Sequence, residues 1–155
     1  MPFKEIAAGE DVKAVVKSAF DIDLDISGDW GYTQQRAMII NHTDVPLENL
    51  EHTLASMRAF IEMNMTMPDS KRYGAINVNE TKRECISKDN RIYDKITYEI
   101  SGMLESDYEK FIEEYKEGYE TSDFDIQAHF QRRKEATVVM EKVFWFDITD
   151  VNKSK

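Results

Sequence analysis

Cysteine is nearly absent. Cys85 stands alone among 155 residues, so no disulfide can close within the chain. Proline and glycine are sparse, at three and six, and they form no flexible linker. The chain is therefore read as one domain over residues 1–155, with a short flexible tail from about 150. No apolar run approaches the ~20 residues that a spanning helix needs, so no membrane partner is expected. The start, Met1-Pro2-Phe3-Lys4-Glu5-Ile6, lacks the basic segment and apolar stretch of a secretory signal. With a lone thiol, this places the expected location in the cytoplasm. Bases are in the minority, 20 against 30 acids, for a formal net charge of −10. Such a chain repels phosphate backbones, so nucleic acid is not an expected partner. The one basic run, Arg132-Arg133-Lys134, reads as a solvated helix end.

Apolar residues make up 41% of the chain, enough to build a core. Val12, Val15, Val16 and Ala19 keep helical spacing and predict a short helix over about 11–20. Asp21 to Ile26 alternates, with Ile22, Leu24 and Ile26 on one side, which is the period of a half-buried strand. Ser27 to Gly31 reads as a turn and Ala37 to Ile40 as a second strand, while Gln34 to Arg36 fits either a hairpin loop or a helix. Leu47, Leu50, Leu54, Met57 and Ile61 predict a long helix over about 45–64, capped by Asp44, with Phe60 widening its buried stripe. A break is expected at Met67 to Ser70.

Two strands follow, near 73–84 and 92–103, joined by a turn at Ser87 to Asn90. Ile92, Ile96, Tyr98 and Ile100 share a face of the second. Ser106 and Glu109 suggest a capping box before a stripe of Tyr108, Phe111, Ile112 and Tyr115 that ends at Gly118. Another helix is expected from Ser122 or Asp123, with Ile126 and Phe130 one turn apart. Thr137 to Ile148 is apolar on both faces, the mark of a central strand. The order α-β-β-α-β-β-α-α-β gives an α+β fold: an antiparallel or mixed sheet of about five strands with helices packed mainly on one face.

No complete catalytic, cofactor, metal or nucleic-acid motif can be read, and no cofactor is expected. Asp21, Asp23 and Asp25 resemble the start of a calcium loop, but Ile26 and Tyr32 stand where the loop needs glycine and glutamate. A charged strand edge is the favoured reading. Met63, Met65 and Met67 are spaced like Cu(I) thioethers, yet methionine also fills gaps at helix ends. Metal ligands are therefore assigned to none. Glu48 and His52, four apart on a helix, are the candidate acid–base pair, and Cys85, after Lys82-Arg83-Glu84, is the candidate nucleophile. Both have plainer readings, a surface pair and a structural thiol.

Trp30 and Tyr32, in the Gly28-to-Tyr32 loop, and Trp145 are the candidate binding residues. The loop can cover a ligand, meet a partner or plug the open end of the core. Nine acids and two bases fall between Glu105 and Asp125. The sequence thus favours a non-catalytic binding or protein-interaction domain. The rival is a small enzyme using His52 with Glu48, or Cys85. The aromatic run Phe144-Trp145-Phe146 further suggests a homodimer through one sheet face or the adjacent Trp30 and Tyr32.

Overall fold

The computed structural model of the protein describes residues 5, 6, 11–65, 71–118, 121 and 124–152. Its first helix, α1 (Val12–Phe20), is capped by Asp11, whose side chain accepts from the Ala14 amide. Helix α1 ends where Asp21 turns left-handed, at φ 56°. That turn redirects the chain, and the strand expected from Asp21 starts only at Ile26. Strand β1 (Ile26–Gly28) pairs antiparallel with β2 (Met38–Ile40). Ile22, expected inside, is 40% exposed. Gln34 to Arg36 forms no helix, and Arg36 closes a turn by hydrogen bonding to Thr33.

Helix α2 (Leu47–Phe60) begins behind Pro46 without a side-chain cap. Asp44 lies instead 2.8 Å from the His42 ring. Leu50, Leu54, Met57 and Ile61 are buried as the spacing requires, whereas Phe60 faces outward and meets the edge of Phe20. The helix then widens into a π turn, Ile61–Met65. The wider turn brings four consecutive side chains, Ile61 to Asn64, into the interior. Asn64 uses its position to accept the Tyr73 amide at 3.0 Å.

Strands β3 (Tyr73–Lys88) and β4 (Arg91–Leu104) form a long antiparallel hairpin. Its two-residue turn, Asp89-Asn90, has positive φ at both positions, which matches the twist of the strands it joins. Strand β5 (Val138–Asp147) lies between β4 and β2, antiparallel to the first and parallel to the second. The sheet is five-stranded and mixed, in the order β1-β2-β5-β4-β3. The central place expected for β5 is the place it has.

One sheet face carries Ile96, Tyr98, Ile100, Phe144 and Phe146, all fully or almost fully buried with Leu54 and Met63 in the core. Gly102 belongs to this face, and the Met63 methyl occupies the space a Cβ would need. The next residue, Met103, and its partner Gly74 turn the opposite way, where Glu105 and Tyr108 begin α3. Helix α3 (Glu105–Gly118) therefore starts one residue before Ser106, and the expected capping box does not form its N-terminus. Helix α4 (Ile126–Ala136) is capped by Asp125 through the Ala128 amide. The expected break at Met67 to Ser70 and helix start at Ser122 or Asp123 lie outside the described residues.

A one-turn helix, α5 (Thr149–Asn152), occupies the stretch where the sequence suggests a tail. Thr149 secures it by donating to Asp147 and accepting the Ile92 amide. Among the described residues no helix is long and apolar enough to cross a membrane.

Candidate functional site

The sequence-level acid–base pair does not assemble. His52 lies on α2, but its Nε2 is 2.8 Å from the Val78 carbonyl, and no hydrogen bond joins it to the exposed Glu48. Val78 is on β3, an edge strand of the sheet. The imidazole thus covers one outward carbonyl of that edge, a structural use that needs only a ring N–H. Cys85 is exposed on the same strand, opposite Asp94. Asp21, Asp23 and Asp25 are exposed, and two of them meet lysines, Asp21 with Lys17 and Asp23 with Lys13. Met63 is buried and Met65 exposed, while Met67 lies outside the described residues. No group of three or more His, Cys, Asp or Glu among the described residues is disposed to hold a metal ion.

The aromatic candidates divide. Trp30 is 0% exposed, so its indole fills the core. It reaches there because Gly31, at φ +85°, lets the loop pass beside β5, where the Gly31 carbonyl accepts the Trp145 amide at 2.8 Å. A Cβ on Gly31 would stand 2.7 Å from the Trp145 carbonyl oxygen. Trp145 is half-buried on the sheet face opposite the main core, edge-on to Tyr93 and under the Lys95 ammonium, 5.3 Å from its ring centre. In acrylamide quenching, Trp145→Phe should leave emission that is almost unquenched, from Trp30. Trp30→Phe should leave emission that quenches readily. The reverse pattern would place the two indoles wrongly.

Tyr32 opens onto a group of charges that the sequence reading missed. Arg58 and Glu62 are both buried, and their ion pair spans 3.2 Å. The Arg58 guanidinium lies between the Tyr32 and Phe144 rings, 3.9 and 3.8 Å from their centres. It also donates to the Trp30 carbonyl. Glu62 accepts the Tyr32 hydroxyl through one oxygen and Lys142 Nζ, at 3.0 Å, through the other. Every polar group here has a partner, the condition under which buried charge is tolerable. Burial, followed by the charge of Glu62, pushes the Tyr32 hydroxyl above its ordinary range. Burial, more than any neighbour, lowers Arg58. With its charges engaged on one another, this cluster reads as a structural lock between α2 and β5.

A second buried group sits at the other end of α2. Glu51 and Asp94 both approach Arg83 Nη1, at 2.7 and 3.2 Å, and Glu80 accepts from the other two guanidinium nitrogens. Burial, reinforced by a hydrogen bond with Asp94, pushes the Glu51 carboxyl up to about 9. Its buried Oε2 has no hydrogen-bond partner among the described residues, so nothing there stabilises a negative charge. Glu51, Arg58 and Glu62 are spaced by seven and four, so they share the flank of the apolar stripe on α2. That spacing, with Lys142 inside an apolar strand, was the available signal.

The third feature is the helical pair α3–α4. Phe111, Tyr115, Phe124 and Phe130 surround His129, which is fully buried. Its Nδ1 lies 3.2 Å from Glu114, which also pairs with Arg132. Burial, then the charge of Arg133, lowers the His129 pKa below its ordinary value. His129 is the one buried residue of α4, and α3 has none. Ile126 and Phe130, one turn apart as expected, are 44% and 48% exposed. Along α3, Tyr108, Glu109, Ile112, Glu113 and Lys116 line an open groove of about 380 Å³.

Comparison with family models, with curated proteins and with solved structures gave no match.

Proposed function

We propose that the protein is a non-catalytic interaction domain and that the α3–α4 pair carries the partner. The observation that supports this most is the poor burial of a helix with an apolar stripe. Tyr108, Phe111, Ile112 and Tyr115 are all only half-buried. A helix of this kind gains most of its stability by packing an apolar face, and α3 leaves part of that face in water. The charges of the Arg58–Glu62 and Arg83 groups are engaged on one another, and the candidate nucleophile and base are apart in role and contacts. These facts favour binding over chemistry.

The test is selection from a random peptide library on the purified protein. Selected peptides should lose about tenfold or more in affinity for Ile112→Asp, the size of effect that a central contact carries. Equal affinity for wild type and variant would contradict the reading, provided circular dichroism shows the variant folded.

The second reading is self-association through the outer sheet face. Val139 is 57% exposed there, close in register to the half-buried Val143 and Trp145. Sedimentation equilibrium separates the two readings: a dimer dissociated by Val139→Lys supports the second, and a monomer at micromolar concentration removes it.

A further inference from the structure

We infer that the α3 groove takes a basic amphipathic segment of another protein. The inference rests on the interaction reading above and concerns the chemistry of the partner. The groove floor is apolar, from Tyr108 and Ile112, and its rim is acidic, from Glu109 and Glu113. Lys116 is the single base of the lining. Glu109 and Glu113 lie one turn apart and exposed, and neither is in an ion pair among the described residues. The acid that α3 uses within the fold is a different one, Glu114, engaged by Arg132 and His129. Like charges four apart weaken a helix slightly, and Glu109 and Glu113 keep that cost with no ion-pair partner among the described residues.

The ligand that relieves both deficits has apolar residues at helical spacing, flanked by Lys or Arg. Its apolar side would cover Tyr108 and Ile112, and its cations would meet Glu109 and Glu113. An acidic segment would meet like charge on the rim, which opposes docking. A phosphate-bearing ligand is disfavoured for the same reason.

Three labelled synthetic helices test this, with one apolar pattern and lysine, glutamine or glutamate at every polar position. Fluorescence anisotropy should show the lysine peptide binding at least about tenfold tighter than the glutamate peptide. The double change Glu109→Lys/Glu113→Lys should weaken the lysine peptide by about tenfold or more and favour the glutamate peptide. Asp23→Lys/Asp25→Lys, on exposed acids elsewhere, makes the same change in net charge and should leave the affinity within about threefold. Ile112→Asp should weaken the lysine peptide.

Three results would overturn the inference: no binding by the lysine peptide, equal weakening by both charge reversals, or indifference to Ile112→Asp. Tight binding of the glutamine peptide, lost in Ile112→Asp, would remove the basic partner while leaving the docking role of α3 intact.

Discussion

Glu62→Gln is expected to lower the unfolding free energy by about 3–5 kcal/mol, the usual cost of breaking a buried ion pair from one side. Glu62 faces two cations, Arg58 and Lys142, and the Tyr32 hydroxyl. Glutamine has nearly the same shape, so packing is preserved and the change isolates charge. Two buried cations would then lose the carboxylate they share, and one amide hydrogen would be directed toward a donor. Urea unfolding checks the size of the loss. Replacing the group together, as Tyr32→Phe, Arg58→Met, Glu62→Leu and Lys142→Met, should recover part of it, because the desolvation cost goes with the charges. The Trp30 carbonyl, deprived of its donor, keeps the recovery incomplete. Wild-type stability in Glu62→Gln would mean that the cluster is wet and loosely held.

The second large effect is a slope of stability with pH set by Glu51. In the fold its carboxyl is pushed up to about 9, from an ordinary 4.5. Between those values the folded chain holds a proton that the unfolded chain has lost. The stabilisation is therefore complete below about 4.5 and is lost as pH rises toward 9. Each pH unit in that window costs about 1.4 kcal/mol, so moving from pH 5 to pH 7 should cost roughly 2–3 kcal/mol. Glu51→Gln carries no titrating proton and should remove that slope.

The difference between wild type and variant is the informative quantity, because His129 and the surplus of acids act on both. His129 has the opposite sign: its pKa is lowered in the fold, so its contribution is lost as pH falls below its ordinary value. Parallel stability curves for wild type and Glu51→Gln would show that Glu51 is ionised in the folded protein.

Much of the sheet is legible in the sequence, for a physical reason that the exceptions clarify. Ile96, Tyr98 and Ile100 alternate and are buried because β4 has long neighbours on both sides. Asp21 to Ile26 alternates just as cleanly, but Asp21 closes α1 in a left-handed turn and the chain reaches its place beside β2 only at the end of that run, so β1 begins at Ile26. Alternation permits a strand, and a partner makes one. The stripe on α2 is legible from Leu50 to Ile61, whereas its π turn is not, because the inward turn of Glu62 is rewarded in large part by groups remote in sequence, the Tyr32 hydroxyl and Lys142, the latter 80 positions away. The register that brings Glu51 to Asp94 and Arg83 is equally remote from local pattern. On α3 the spacing of Tyr108 and Ile112 is plain. That they remain half-buried depends on how little of the fold lies over them.

The central claim, that the protein acts by presenting α3, is tested most directly by amide hydrogen exchange. The protein would be followed alone and with a peptide selected from the random library. The account predicts slowed exchange along Glu105–Gly118, with the β3 edge and the outer face of β5 unchanged. Slowed exchange along Tyr73–Lys88 or Val138–Asp147, with α3 unaltered, would contradict it.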